Sequence, residues 1–209
     1  MYVYLGIIMN NERFLEIALR LYAQKGYEAT SLREVAREAG VVPSVLSYRF
    51  GSKKGLLEAV ISQKIVNKTS ELGAVLLKPE DLLQFKTRLQ TMLEVLVKER
   101  FRNLDEYKVL SDILRDISSF DDDHVLVKEL GSAYEKVISF LEYARSQSFI
   151  KDSLEVSHLA TMIFSLVRDT VSNHELNLRF LDEDNREEDS RRALFKSFVD
   201  LISNDQYSL

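Results

Sequence analysis

The chain has 209 residues, 45% of them hydrophobic and 29% charged, a composition that fits a folded protein long enough to bury a core. It has no cysteine, which excludes disulfides and thiolate metal sites, and its two prolines and seven glycines disfavour a fold made of many tight β-turns. The formal net charge of −5 argues against a uniformly basic nucleic-acid binder. That charge is uneven, however: residues 1–64 carry nine Lys/Arg against six Asp/Glu, and the remainder 19 against 27.

The opening "MYVYLGIIMN" has a short apolar run with no basic region before it and no small-residue cleavage site after it. It reads neither as a signal peptide nor as a membrane span. Residues 1–9 are assigned as an N-terminal extension or arm, with Met1 and Met9 both eligible as the start. From there the pattern is helical. Phe14, Ile17, Ala18, Leu21 and Tyr22 follow the spacing of an amphipathic helix that stops at Lys25 and Gly26. "TSLREVAREAG" opens a second helix with a capping box of Ser31 and Glu34, buries Leu32, Val35, Ala36 and Ala39, and ends at Gly40 in a left-handed conformation. Pro43 suits the first position of a third helix, only about two turns long, with Leu46 and Phe50 inward and Gly51 as its stop. Three short helices with a glycine-containing turn make a helix-turn-helix unit over residues 10–57.

Ser52 caps a long fourth helix running toward Leu77, with Leu56, Leu57, Val60, Ile61 and Ile65 on its buried stripe. Further helices are expected over 80–102, 105–119, 125–148, 155–180 and 188–203. Strand alternation and internal repeats are missing from the pattern. The fold class is all-α: an N-terminal three-helix head joined by the fourth helix to a C-terminal helical body, residues 58–209.

The fourth helix begins unusually, because Lys53 and Lys54 follow its cap where the helix dipole favours acidic residues. An external anion that accepts the free backbone N–H groups and the lysine charge would make this arrangement favourable, and a DNA phosphate fits. The third helix would then read bases. Ser44, Ser47 and Tyr48 share its outer face, with Val45 and Arg49 on the margins. Tyr48 can stack on a sugar or a thymine methyl, or hydrogen-bond a phosphate; Arg49 can pair with guanine edges or with phosphate; Val45 can touch only a methyl group. Thr30, Ser31 and Arg33 at the start of the second helix, and Pro43 at the start of the third, complete the proposed contact set. The plainer reading is a solvated face on a three-helix domain, but helix lengths, glycine turn and cationic cap agree on DNA.

The stretch "ALRLYAQKGYEATSLREVAREAGVVPSVLSYRFGSKKGLL" resembles the N-terminal domain of TetR-family transcriptional regulators. The similarity lies in the Thr/Ser start of the second helix, the Ala-x-x-x-Gly-Val turn, the inward Leu and Phe of the third helix and the Ser-Lys opening of the fourth. The resemblance implies a homodimeric, ligand-responsive DNA-binding repressor that a small effector releases from a near-palindromic operator. Three positions depart from the family pattern: Val42 replaces a capping Ser, Val45 a common Thr and Ser47 a frequent Tyr. The operator of a relative therefore cannot be carried over.

For the body, the resemblance implies an effector pocket and a dimer bundle. Pocket candidates are Phe85, Leu89, Met92, Tyr107, Ile113, Phe140, Tyr143, Met162 and Phe164, whose apolar character favours a lipophilic effector. Two apolar stripes, Ile163, Val167 and Val171 on one helix and Leu194, Phe198 and Leu201 on another, are candidates for pairing two chains; packing within one chain is the alternative. Enzyme signatures are weak. "GSKKG" lacks phosphate-loop spacing, Glu155 and His158 give a single Glu-x-x-His where a di-metal bundle needs two, and His124, His158 and His174 lack zinc-ligand spacing. No cofactor or metal is called for, and a cytoplasmic location is expected. Two other classes stay open: a helical sensor or carrier whose head binds protein instead of DNA, and a di-metal helical enzyme.

Overall fold

The computed structural model describes residues 11–65 and 75–204, with residues 64 and 65 described in backbone only. The Met1/Met9 question and residues 66–74 of the expected fourth helix fall outside that range. The helices are α1 Asn11–Lys25, α2 Leu32–Ala39, α3 Pro43–Phe50, α4 Lys53–Val60, α5 Leu82–Arg102, α6 Leu104–Leu114, α7 Val125–Ser146, α8 Val156–Ser172, α9 His174–Leu181 and α10 Glu188–Ile202. A single π-helical turn, Ile61–Ile65, continues α4, and a 3-10 turn, Ile117–Ser119, follows α6. Among the described residues the β pairing is one isolated antiparallel bridge, Ile150 with Ser203. The all-α expectation holds.

Contacts divide the chain into two units: Met1–Lys68 with Asn103–Glu129, and Thr69–Arg102 with Leu130–Leu209. The first unit contains the helix-turn-helix and also takes in α6. That helix was expected in the body, and it packs on α1 and on the π turn. In this unit Phe14, Leu15, Ala18, Tyr22, Val35, Ala36, Leu46, Leu56 and Val60 form the core. His124 closes its far end: the ring Nδ1 accepts the Leu126 N–H at 3.2 Å, capping α7, and Nε2 lies 2.6 Å from the Glu58 carboxylate on α4.

In the second unit α5 packs against both α8 and α10. Phe85, Leu89, Met92, Leu93 and Val97 of α5 are buried, and Phe85 stacks on Phe140 and Phe149 with ring centroids 5.7 and 6.2 Å apart. Arg191 of α10 is buried as an ion pair with Glu94 of α5 (3.2 Å). Its Nη1 donates to the carbonyls of Asn185 and Arg186, pinning the loop that precedes α10. The helix expected over 155–180 is two helices. Asn173 leaves helical geometry (φ −108°, ψ 14°), and the His174 ring bonds the Val171 carbonyl at 2.9 Å. The Ser-Asn-His run offers side-chain alternatives to the helical ladder, which apolar periodicity does not register.

Candidate nucleic-acid interface

Three local devices position the α3 surface. Ser31 caps α2 by accepting the Glu34 N–H at 3.2 Å, as expected, and Gly40 ends α2 in the left-handed region at φ 71°, ψ 28°. The Lys25 ammonium, bonded to the Glu34 carboxylate, holds that carboxyl below the usual carboxylate range, with Arg37 and the Ser31 N–H adding to the effect. Pro43 starts α3 after Val42, whose side chain makes no cap, so α3 lacks the side-chain bond that most helix starts have.

The α3–α4 corner then compensates. Gly51 takes φ 73°, Ser52 N–H donates to the Phe50 carbonyl at 2.8 Å, and the Ser52 hydroxyl accepts the Gly55 N–H at 3.0 Å. A Cβ on Gly55 would stand 2.0 Å from the Phe50 carbonyl oxygen, so only glycine lets α3 and α4 approach this closely.

Only Leu46 of α3 is buried. Pro43, Ser44, Ser47 and Tyr48 are exposed, Tyr48 at 91%, and Val45 is half-buried. The outward polar and aromatic face is therefore present as read from the sequence. Arg49 turns inward: its guanidinium bonds Asn11 Oδ1 at 2.7 Å and lies 5.3 Å from the Phe14 ring centroid. Thr30 is buried, with its hydroxyl donating to the Gly26 carbonyl at 2.9 Å, so its side chain holds the turn before α2 and does not reach outward. Ser31 and Arg33 are exposed at the start of α2, and Lys54 is exposed at the start of α4.

Lys53 departs most from the expectation. The sequence reading required an external anion for it, yet its ammonium donates to the Glu28 carbonyl at 3.0 Å, pairs with the Glu28 carboxylate at 3.5 Å and lies 4.2 Å from the Tyr27 ring centroid. Glu28 and Tyr27 escaped the sequence reading because they lie 25 and 26 residues away, and no local pattern signals that pairing.

The body candidates separate. Phe85, Leu89, Met92 and Phe140 are gathered in the core of the second unit. Tyr143, half-buried, lies beneath Lys78 at 5.0 Å, and Phe164 stacks on Tyr134 at 3.9 Å. Met162 is 45% exposed on α8, and Tyr107 and Ile113 belong to the first unit. Of the pairing candidates, Ile163, Val167 and Val171 are buried within the single chain, so that stripe serves its own core. Leu194 and Phe198 are half-buried, and Leu201 is 62% exposed. Among the described residues no group of three or more His, Asp or Glu lies close enough together to hold a metal ion, and no helix is long and apolar enough to cross a membrane.

A short, cap-poor helix that buries one residue and displays Ser44, Ser47 and Tyr48 beside a cationic helix start defines a helix-turn-helix of the DNA-reading class. Residues 14–60 match the family model described as bacterial regulatory proteins, tetR family. Over 165 residues the chain is 28% identical to the uncharacterised HTH-type transcriptional regulator YvkB of Bacillus subtilis, covering 75% of this chain and 78% of that protein. The fold is similar to the ketosteroid transcriptional regulator KstR2 of Mycobacterium tuberculosis (TM-score 0.71, 13% identity, 94% and 96% of the two chains). It is also similar to a regulator from Saccharomonospora viridis solved in complex with choline (TM-score 0.70, 21% identity, 93% and 97%). Residues 14–60 thus match the TetR-type helix-turn-helix, the rest of the chain is similar in fold to regulators that carry it, and together these matches support a DNA-binding transcriptional regulator.

Proposed function

We propose that the protein is a homodimeric cytoplasmic repressor. Residues 10–57 read a near-palindromic operator, and residues 58–209 bind a small lipophilic effector and pair the two chains. Two α3 helices would enter successive major grooves about one DNA turn apart. The observation that carries the DNA-reading part is the outer face of α3, where Tyr48 is 91% exposed beside exposed Ser44 and Ser47, with exposed cations Arg33 on α2 and Lys54 on α4. A purely structural helix this short would bury more of itself.

The lipophilic effector is supported by the apolar and aromatic make-up of the second unit's interior, where Phe85, Leu89, Met92 and Phe140 are buried and Phe85 stacks on Phe140 and Phe149. An effector that binds the body better in the conformation whose heads are wrongly spaced lowers operator affinity by its differential affinity for the two states. Pairing is supported by the exposed apolar side chains Leu176, Phe180 and Leu181 on α9 and Leu201 on α10, which a second chain could cover.

Selection of duplexes from a random-sequence pool by the full-length protein tests the reading. Enrichment of a site with inverted half-sites, bound by two chains, is the expected result. A pool that stays unenriched would overturn it and favour a head that binds protein.

A further inference from the structure

Helices α5 and α10 pack together in the second unit, and a groove of about 380 Å³ runs between them. Its α5 wall is Thr87, Thr91, Glu94 and Lys98, whose spacing sets them in one line along the helix. Its α10 wall is Glu188, Arg191 and Arg192. The α5 line is separate from the apolar face of that helix, where Phe85, Leu89, Met92 and Leu93 are buried. On α10, helical spacing puts Arg192 on one side of the buried stripe of Arg191, Phe195, Val199 and Ile202. Leu194, Phe198 and Leu201 fall on the other side, so the groove is not the surface proposed for pairing.

The groove presents two carboxylates and three cations, an excess of one positive charge. Arg192 pairs with Glu188 at 2.5 Å, and Arg191 Nε donates to Glu94 Oε2 at 3.2 Å. Arg191 Nη1 is turned to the Asn185 and Arg186 carbonyls, and Glu94 Oε1 is left buried with no hydrogen-bond partner. A carboxylate oxygen in that position is costly. The Glu94 side chain is 19% exposed at the groove wall, and its terminal torsion is soft. A small turn therefore brings Oε1 to a donor in the groove while Oε2 keeps Arg191. The threonines add acceptors beside it. The Thr87 hydroxyl donates to the Leu83 carbonyl and the Thr91 hydroxyl to the Thr87 carbonyl, both at 2.8 Å, so toward the groove each can only accept. Lys98, exposed one turn beyond Glu94, can only donate.

We infer that this groove binds a small ammonium carboxylate, a molecule of the amino-acid class, with its ammonium on Glu94 and Thr91 and its carboxylate on Lys98. A ligand with only an anionic group leaves the Glu94 oxygen unanswered, and one with only a cationic group, a metal ion included, meets the excess positive charge. A volume of about 380 Å³ suits a molecule of that size. The site is distinct from the apolar interior proposed for a lipophilic effector, and the inference rests on neither that reading nor the DNA-binding one.

The test titrates the full-length protein with glycine, β-alanine and γ-aminobutyrate, and with butyrate and butylammonium as probes that each lack one charge. Calorimetry at low salt gives the affinities, and amide chemical shifts locate the site. At least one amino acid is expected to bind once per chain, to shift the amides of Thr91, Glu94, Lys98 and Arg192, and to bind several-fold more tightly than butyrate or butylammonium. Lys98→Met, at an exposed position, should fold as the parent, lose several-fold of the amino-acid affinity and bind butylammonium no more weakly. Thr91→Val should weaken every ammonium probe, and Glu94→Gln should abolish the preference for an ammonium. Glu94→Gln also takes the counter-charge from buried Arg191, so if it fails to fold, Lys98→Met and Thr91→Val decide. The inference is overturned if no probe moves those amides at millimolar concentration, if butylammonium binds as well as the best amino acid, or if Lys98→Met binds the amino acid as tightly as the parent.

Discussion

Helices α3 and α8 use their residues in opposite ways. Of the eight residues of α3 only Leu46 is buried, whereas α8 buries Val156, Leu159, Ala160, Ile163, Val167, Thr170 and Val171. The second is held by its own apolar stripe against α5; the first is held by its ends and its one anchor. Gly51, Ser52 and Gly55 fix the α3–α4 corner and leave the outer face of α3 without structural duty. A helix freed in this way can carry whatever side chains a ligand requires, which is how Tyr48 stands 91% exposed at no cost to the core. The same contrast explains why Ile163, Val167 and Val171 are poor candidates for pairing two chains, since each is already covered inside one.

Substitutions at the two anchors would break this contrast most strongly. Leu46→Ala should cost about 3 kcal/mol, as should Ile163→Ala, because each empties a fully buried site. Their consequences should differ: loss of Leu46 removes the only buried hold on α3, so DNA binding should fail before far-ultraviolet helicity does, whereas Ile163→Ala should lower the thermal midpoint. Gly55→Ala belongs with Leu46→Ala, since its methyl meets the Phe50 carbonyl at 2.0 Å and α3 must shift. In the second unit Arg191→Ala leaves Glu94 without its cation and frees two loop carbonyls. A loss of about 3 kcal/mol is expected in denaturant unfolding, with the loop before α10 exchanging first.

Acid supplies a smaller and more general probe. The Arg186 guanidinium and backbone N–H hold the Asp184 carboxyl down to about 2, and Lys196 and then Lys86 hold Asp200 below its ordinary value. Both folded values lie below the unfolded ones, so the stabilisation is present above about pH 4 and is lost as pH falls toward 2. Near neutrality Asp184→Asn and Asp200→Asn should therefore each be slightly less stable than the parent, and the difference should shrink as pH falls through that window; it is small throughout because both carboxylates keep access to solvent.

Much of the head was legible in the sequence because its signals are local. Ser31 with Glu34, Gly40, Pro43, Gly51 and Ser52 each announce a helix end within a few residues, and the structure has each in that role. Side chains whose partners are distant in sequence were read less well. Arg49 looked available to DNA from the margin of the outer face but bonds Asn11; Thr30 looked accessible at a helix start but closes the turn behind it; Lys53 looked uncompensated but answers Glu28. The break at Asn173 was missed for a related reason, because apolar spacing continued through residues whose own side chains compete for the backbone. In the body, apolar periodicity identified α8 and α10 but could not say which stripe faces inward, and the structure turns the Ile163 stripe to α5.

The smallest structural change expected of any substitution, and the most informative about function, is Tyr48→Ala. Its side chain is exposed, so stability should stay within about 0.5 kcal/mol of the parent. The measurement that tests the central claim most directly is the affinity of both proteins, at one salt concentration, for a duplex selected from a random pool and for a scrambled duplex of the same composition. If α3 reads sequence, the parent prefers the selected duplex, and Tyr48→Ala loses on the order of tenfold or more of that preference while remaining folded. A parent protein that binds both duplexes equally, or a Tyr48→Ala protein that discriminates as well as the parent, would contradict the assignment of this face to DNA.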